Sequence, residues 1–114
     1  MPSLVVTYAL PAIINNFFLI DVMVSPVDAD AMISHDIDHV CTIMTADCLP
    51  LLLCNRQGDM VAAIHAGWRG LAAGIIEKTV AEFRCSTQDI LVWLGPAIGP
   101  TQFEVGSDVY HAFT

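Results

Sequence analysis

Lysine and arginine are nearly missing from this chain. Its 114 residues hold four of them, Arg56, Arg69, Lys78 and Arg84, against twelve Asp and Glu, and the first 55 residues contain none. A surface that grips nucleic acid needs clustered cations to neutralise phosphates, so that partner is excluded. Docking on anionic lipid is excluded for the same reason. The charged segment that opens a secretion signal is also absent, so a cytoplasmic protein is expected. Charge of either sign is scarce: 14% of residues are charged and 55% hydrophobic, with a net charge of -8. The mean hydropathy is +0.63 and the pI about 4.5. A free-standing domain this small has much surface for its volume and needs more polar residues than these. Exposed apolar surface is therefore expected, to be covered by self-association or by a further piece of the fold.

Long uninterrupted apolar runs are missing too. Leu4 to Ile20 is rich in Leu, Val, Ile and Phe, but Pro11, Asn15 and Asn16 break it. It falls short of the ~20 residues that a membrane span requires. There are no repeats, low-complexity tracts or linkers. Four cysteines are present, Cys41, Cys48, Cys54 and Cys85. Three of them sit in apolar, strand-like runs, and reduced thiols in a cytoplasmic protein fit better than a disulfide framework.

What is there reads as one small α/β domain. Residues 1–27 lack a clear period, with short strands at Leu4–Tyr8 and Phe17–Val24. Val40–Ala46 is β-branched and apolar, a strand. Leu49–Cys54 and Met60–His65 flank the polar turn Asn55-Arg56-Gln57-Gly58-Asp59 and predict a hairpin. Pro50 must then lie near a strand start or on an edge. After the break at Gly67–Gly70, Ala72, Ile76, Val80 and Phe83 recur at helical spacing and predict one helix over 71–83. Cys85-Ser86-Thr87 ends it. Ile90–Leu94 is a short apolar strand. Gly95-Pro96-Ala97-Ile98-Gly99-Pro100 is a stiff loop. Ser107 or Asp108 can cap a last helix beginning at Val109, and that stub at the chain end marks a truncated fold.

Three constellations carry chemistry. In the first, Cys48 follows Asp47 between two apolar runs, and His65 ends the strand paired with the second run. A thiolate and an imidazole at one rim of a sheet are good zinc ligands. Taken singly, Cys48 reads first as a small buried hydrophobe and His65 as a hydrogen-bonding strand end; together they point to a metal site. In the second, Gly67-Trp68-Arg69-Gly70 leads into a helix, and N–H groups there with the Arg69 guanidinium suit an anion such as phosphate. The plain alternative is a strand-to-helix turn with Trp68 packed on the sheet. In the third, Glu104 follows the stiff loop and can act as general acid or base or hold a ribose hydroxyl; a structural crossover is the alternative. His35 belongs to a surface turn, and His39 points away from Cys48 if residues 40–48 are extended. His111 sits in the terminal stub.

Thr45-Ala46-Asp47-Cys48-Leu49-Pro50, His65-Ala66-Gly67-Trp68-Arg69-Gly70, and Leu94-Gly95-Pro96-Ala97-Ile98-Gly99-Pro100 with Phe103-Glu104-Val105-Gly106 together resemble the YfiH-like laccase-domain family. Asp30-Ala31 and the turn at 55–58 fit it as well. The resemblance covers residues 28–114, and residues 1–27 match poorly. It implies a layered α/β/β/α fold, incomplete here because the family's N- and C-terminal parts are missing. It also implies a metal site of one Cys and two His. Cys48 and His65 match two of these; the third belongs to an upstream His-Gly motif, and residues 1–27 contain no histidine. The implied activity is that of a zinc-dependent purine nucleoside phosphorylase acting on adenosine or inosine with phosphate, together with adenosine deamination. Copper-dependent polyphenol oxidase is an alternative, although multicopper chemistry needs more than the four histidines present. An inactive fragment without its third ligand is another. On the first reading, Cys48 and His65 hold zinc, Gly67, Arg69 and Gly70 hold phosphate, and Asp47 and Glu104 move protons.

Overall fold

The computed structural model describes residues 3–8 (backbone alone), 29–35 and 40–114. The strand expected at Phe17–Val24 and the orientation expected for His39 lie outside them.

The centre of the molecule is a four-stranded antiparallel sheet. The hairpin is present as foreseen: Leu49–Asn55 (β4) pairs with Val61–Ala66 (β5), with Leu51 opposite Ile64 and Pro50 opposite His65. Asn55 makes the turn close. Its side-chain oxygen accepts from the backbone N–H groups of Asp59 (3.1 Å) and Met60 (3.2 Å), and its amide donates to the Asp59 carboxylate. Gly58 supplies the positive φ of 74° that the turn needs. Ala31–Ser34 (β2) adds to the far side of β5, and Ile90–Leu94 (β6) to the far side of β4, giving the order β2-β5-β4-β6. The short β2 is not apparent in the sequence, where four residues lie between acidic stretches without enough alternation to register as a strand.

Pro50 is the second residue of an interior strand, and it is buried. It is tolerated because the β4–β6 ladder starts one residue later, at Leu51 opposite Leu94. Its carbonyl still accepts from Gly95 N–H at 2.9 Å.

Each face of this sheet is covered over β4 and β5. Ser3–Tyr8 (β1) and Val40–Thr45 (β3) form a parallel two-stranded sheet. Cys41 and Ile43 of β3 pack on Val61 and Ala63. On the other face lie Leu51, Leu53, Ala62 and Ile64, covered by Ile75, Ile76, Val80 and Phe83. The period-two alternation of β4 and β5 feeds both layers, which is why both strands are apolar apart from Asn55 at the end of β4 and His65 near the end of β5. Truncating the fully buried Leu53 to Ala would cost about 2–5 kcal/mol.

The single helix expected over 71–83 is instead two: Trp68–Ala72 (α1) and Ile75–Ala81 (α2). Gly74 breaks them with φ 80°, a left-handed conformation that ends one helix and starts the next. The buried stripe shifts accordingly, so Ala72 is exposed while Leu71 and Ile75 join Ile76, Val80 and Phe83 on the core. After Phe83 a 3-10 turn spans Thr87–Asp89. The last helix, Ser107–Ala112 (α3), begins two residues before the expected start. Its cap is Gly106 with no side-chain cap bond, while the Asp108 carboxylate accepts from Val109 N–H at 2.9 Å.

The expected apolar surface is present. Leu91, Val92, Trp93 and Leu94 are 47–59% exposed along edge strand β6, and Ile98, Phe103, Val105, Tyr110 and Phe113 are exposed beyond it. No helix among the described residues is long and apolar enough to cross a membrane.

Candidate active site

The rim where β3 runs into β4 and β5 ends brings the first two sequence constellations together, with the stiff loop of the third beside them. The strand expected over Val40–Ala46 ends at Thr45, and residues 46–48 bend into β4. That bend sets Cys48 beside the end of β5. Gly67, the residue between β5 and α1, is the meeting point. A β-carbon built there would lie 3.3 Å from Cys48 Sγ and 3.7 Å from His65 Nε2. The thiol and the imidazole thus face the same small gap, kept open by a residue without a side chain. Both are half-buried, so the gap is open to solvent on their side.

His65 is held from the other side. Its backbone N–H donates to the Asp30 carbonyl at 2.8 Å, and its Nδ1 lies 3.3 Å from Asp30 Oδ1. Asp30 has no role that its sequence motif alone reveals. The only available signal was its place one residue before β2, and that signal depends on the β2–β5 register, which pairs Ala31 with Ile64.

The loop after β6 is tied to the same rim. Ile98 N–H donates to the Asp47 carbonyl at 2.9 Å, next to the Gly95–Pro50 bond. Asp47 is therefore fixed through its backbone, with its side chain exposed. Arg69 is exposed, stacks over the Trp68 ring at 4.4 Å, and makes no ion pair among the described residues. α1 spans five residues, so its dipole adds little to anion binding and the guanidinium is the main cationic element. Gly70 has a packing role: a β-carbon there would meet Ile75 at 3.4 Å and the His65 carbonyl at 3.7 Å. Glu104 is exposed and has no hydrogen-bond or ion-pair partner among the described residues, and no described contact links it to Cys48 or His65.

The remaining candidates stay apart. His35 is exposed and lines a surface groove of about 300 Å³ with Gln57 and Arg84, at the hairpin-turn end of the sheet. His111 Nδ1 donates to the Ser107 carbonyl of its own helix at 2.6 Å. All four cysteines are free thiols. Cys41 is fully buried, and burial pushes its thiol pKa up. Among the described residues, no three His, Cys, Asp or Glu groups converge as a metal cluster. The residues present thus fit two thirds of a zinc ligand set, a soft thiolate and a borderline imidazole.

Comparison with known proteins defines the class. Residues 12–114 match the family model described as multi-copper polyphenol oxidoreductase laccase, and the chain belongs to that family. It is 60% identical over 85 residues to the purine nucleoside phosphorylase YfiH of Escherichia coli, which covers 75% of this chain and 35% of that protein. The same identity, over the same shares, relates it to the purine nucleoside phosphorylase PA4543 of Pseudomonas aeruginosa. Among solved structures, the Neisseria meningitidis protein NMB0706 superposes with a TM-score of 0.67 at 48% identity, covering 75% of this chain and 36% of that one. YlmD from Geobacillus stearothermophilus does so at 0.63 and 32% identity, covering 73% and 32%. The chain thus spans about a third of the length of the curated relatives it matches.

Proposed function

We propose that this chain carries the Cys–His half of a zinc-dependent purine nucleoside phosphorylase site, acting on adenosine or inosine with phosphate. Adenosine deamination is the second reaction the family resemblance implies. The observation that carries the proposal is the convergence of Cys48 Sγ and His65 Nε2 on the gap beside Gly67. Cys48 and His65 would hold the metal. Zinc bound there supplies Lewis acidity and brings the pKa of a coordinated water close to neutral. Arg69, held over Trp68, binds the phosphate anion at the mouth of the site. Asp47, anchored through its carbonyl to Ile98, presents an exposed carboxylate for proton transfer at the rim. Glu104 serves a ribose hydroxyl or a proton only if the loop after residue 100 carries it to the rim when substrate binds. Gly67 and Gly70 let backbone and donors approach closely.

A second reading has its own observation. No three-donor cluster exists among the described residues, and β6 presents an apolar edge. On that reading the chain is inactive alone and associates through β6, with itself or with a partner. Copper in place of zinc is distinguished by metal analysis of the purified protein.

Phosphate-dependent release of free base from adenosine and inosine, with added zinc, tests the proposal. The expected result is turnover that vanishes in Cys48→Ala and His65→Ala. A folded chain without turnover supports the second reading.

A further inference from the structure

We propose that Asp30 is a positioning residue for His65, fixing the ring tautomer that leaves Nε2 free to act as a donor. The inference rests on the reading of His65 as a ligand, but its first test does not. The β2–β5 register carries Asp30 to the end of β5: Ala31 stands opposite Ile64, and the Asp30 carbonyl accepts the His65 N–H at 2.8 Å. The carboxylate is therefore delivered by the sheet ladder itself. Its Oδ1 lies 3.3 Å from Nδ1. An ionised carboxylate can only accept, so Nδ1 must carry the hydrogen. Nε2 then keeps its lone pair, and Nε2 is the ring atom on the Gly67 side, toward Cys48. The bond made by one ring nitrogen sets the state of the other. Without Asp30 the ring is free to place its hydrogen on Nε2, which blocks the donor. The pair is partly exposed, 31% at His65 and 62% at Asp30, so it adds little to stability and acts on orientation.

The test uses the full chain, first without metal. Nitrogen-15 spectra of the histidine rings, recorded where His65 is neutral, report which nitrogen carries the hydrogen. The wild type is expected to show Nδ1–H at His65. Asp30→Ala should move the ring toward Nε2–H, whereas Asp30→Asn should keep Nδ1–H, because its amide oxygen accepts the same bond. Zinc affinity should then fall about ten- to a hundredfold in Asp30→Ala and much less in Asp30→Asn. An identical tautomer in wild type and Asp30→Ala overturns the proposal, whatever the zinc result. A wild type that shows the expected tautomer but takes up no zinc supports the positioning role and counts against the metal reading alone.

Discussion

Cys48 Sγ lies 3.3 Å from the point where a β-carbon of residue 67 would stand, and Gly67 leaves that point empty. The backbone of Gly67, at φ -72° and ψ 166°, is one that any residue adopts, so its role is spatial and not conformational. Gly67→Ala should therefore fold normally, with thermal stability within about 1 kcal/mol of wild type. The added methyl crowds the thiol and should weaken zinc binding by about tenfold, a loss typical of disturbed ligand surroundings. Competition with a chromogenic chelator measures it. Unchanged affinity would show that ligands do not use this gap.

Thr45 carries a different kind of signal. It is 2% exposed, and its hydroxyl finds no hydrogen-bond partner among the described residues. A buried hydroxyl without a partner destabilises by about 1–3 kcal/mol. Thr45→Val keeps the β-branched shape and removes the hydroxyl. The urea midpoint should rise, with about 1 kcal/mol gained. A lower midpoint would mean that the hydroxyl is satisfied in solution.

The two-helix arrangement depends on Gly74. A β-carbon there would meet only Glu77 Oε2, at 3.5 Å, so there is room, but the φ of 80° is costly for an L side chain. Gly74→Ala should destabilise by about 1–2 kcal/mol. Gly99→Ala, with nothing within 4 Å and no positive φ, is the control and should be near neutral. Equal losses in the two variants would refute the helix break.

Burial holds the Cys41 thiol above its ordinary value of 9.0. The folded chain keeps that proton where the unfolded chain has released it. The resulting stability is fully present below pH 9.0 and is lost as pH rises from there through the folded value. Denaturation midpoints should fall more steeply above that pH in wild type than in Cys41→Ala. Parallel curves would contradict the assignment.

Much of this fold is legible from local pattern. The hairpin follows from two apolar runs around Asn55–Asp59, because turn chemistry and register are set within a few residues. β6 follows from five consecutive apolar residues at 90–94. The helix over 71–83 is misread because a glycine inside an apolar stripe is compatible with a continuous helix, and only the tertiary contacts of Leu71 and Ile75 make the break at Gly74 the better solution. The site divides in the same way. Cys48, His65 and Gly67 are legible because their motifs flank the hairpin. Asp30 is not, because its approach to His65 requires β2 to pair with β5 across 35 positions. The sequence singles out Glu104 as readily as Asp47, yet only Asp47 is tied to the rim, through a backbone bond that side-chain identity does not encode.

Cobalt substitution of the purified chain is the most direct measurement of the central claim, that Cys48 and His65 form one metal-binding unit. A thiolate-to-cobalt charge-transfer band should appear in wild type, Cys54→Ala and Cys85→Ala. It should be absent in Cys48→Ala and weakened or lost in His65→Ala. A band that survives in Cys48→Ala, or that disappears equally in Cys85→Ala, would contradict the account.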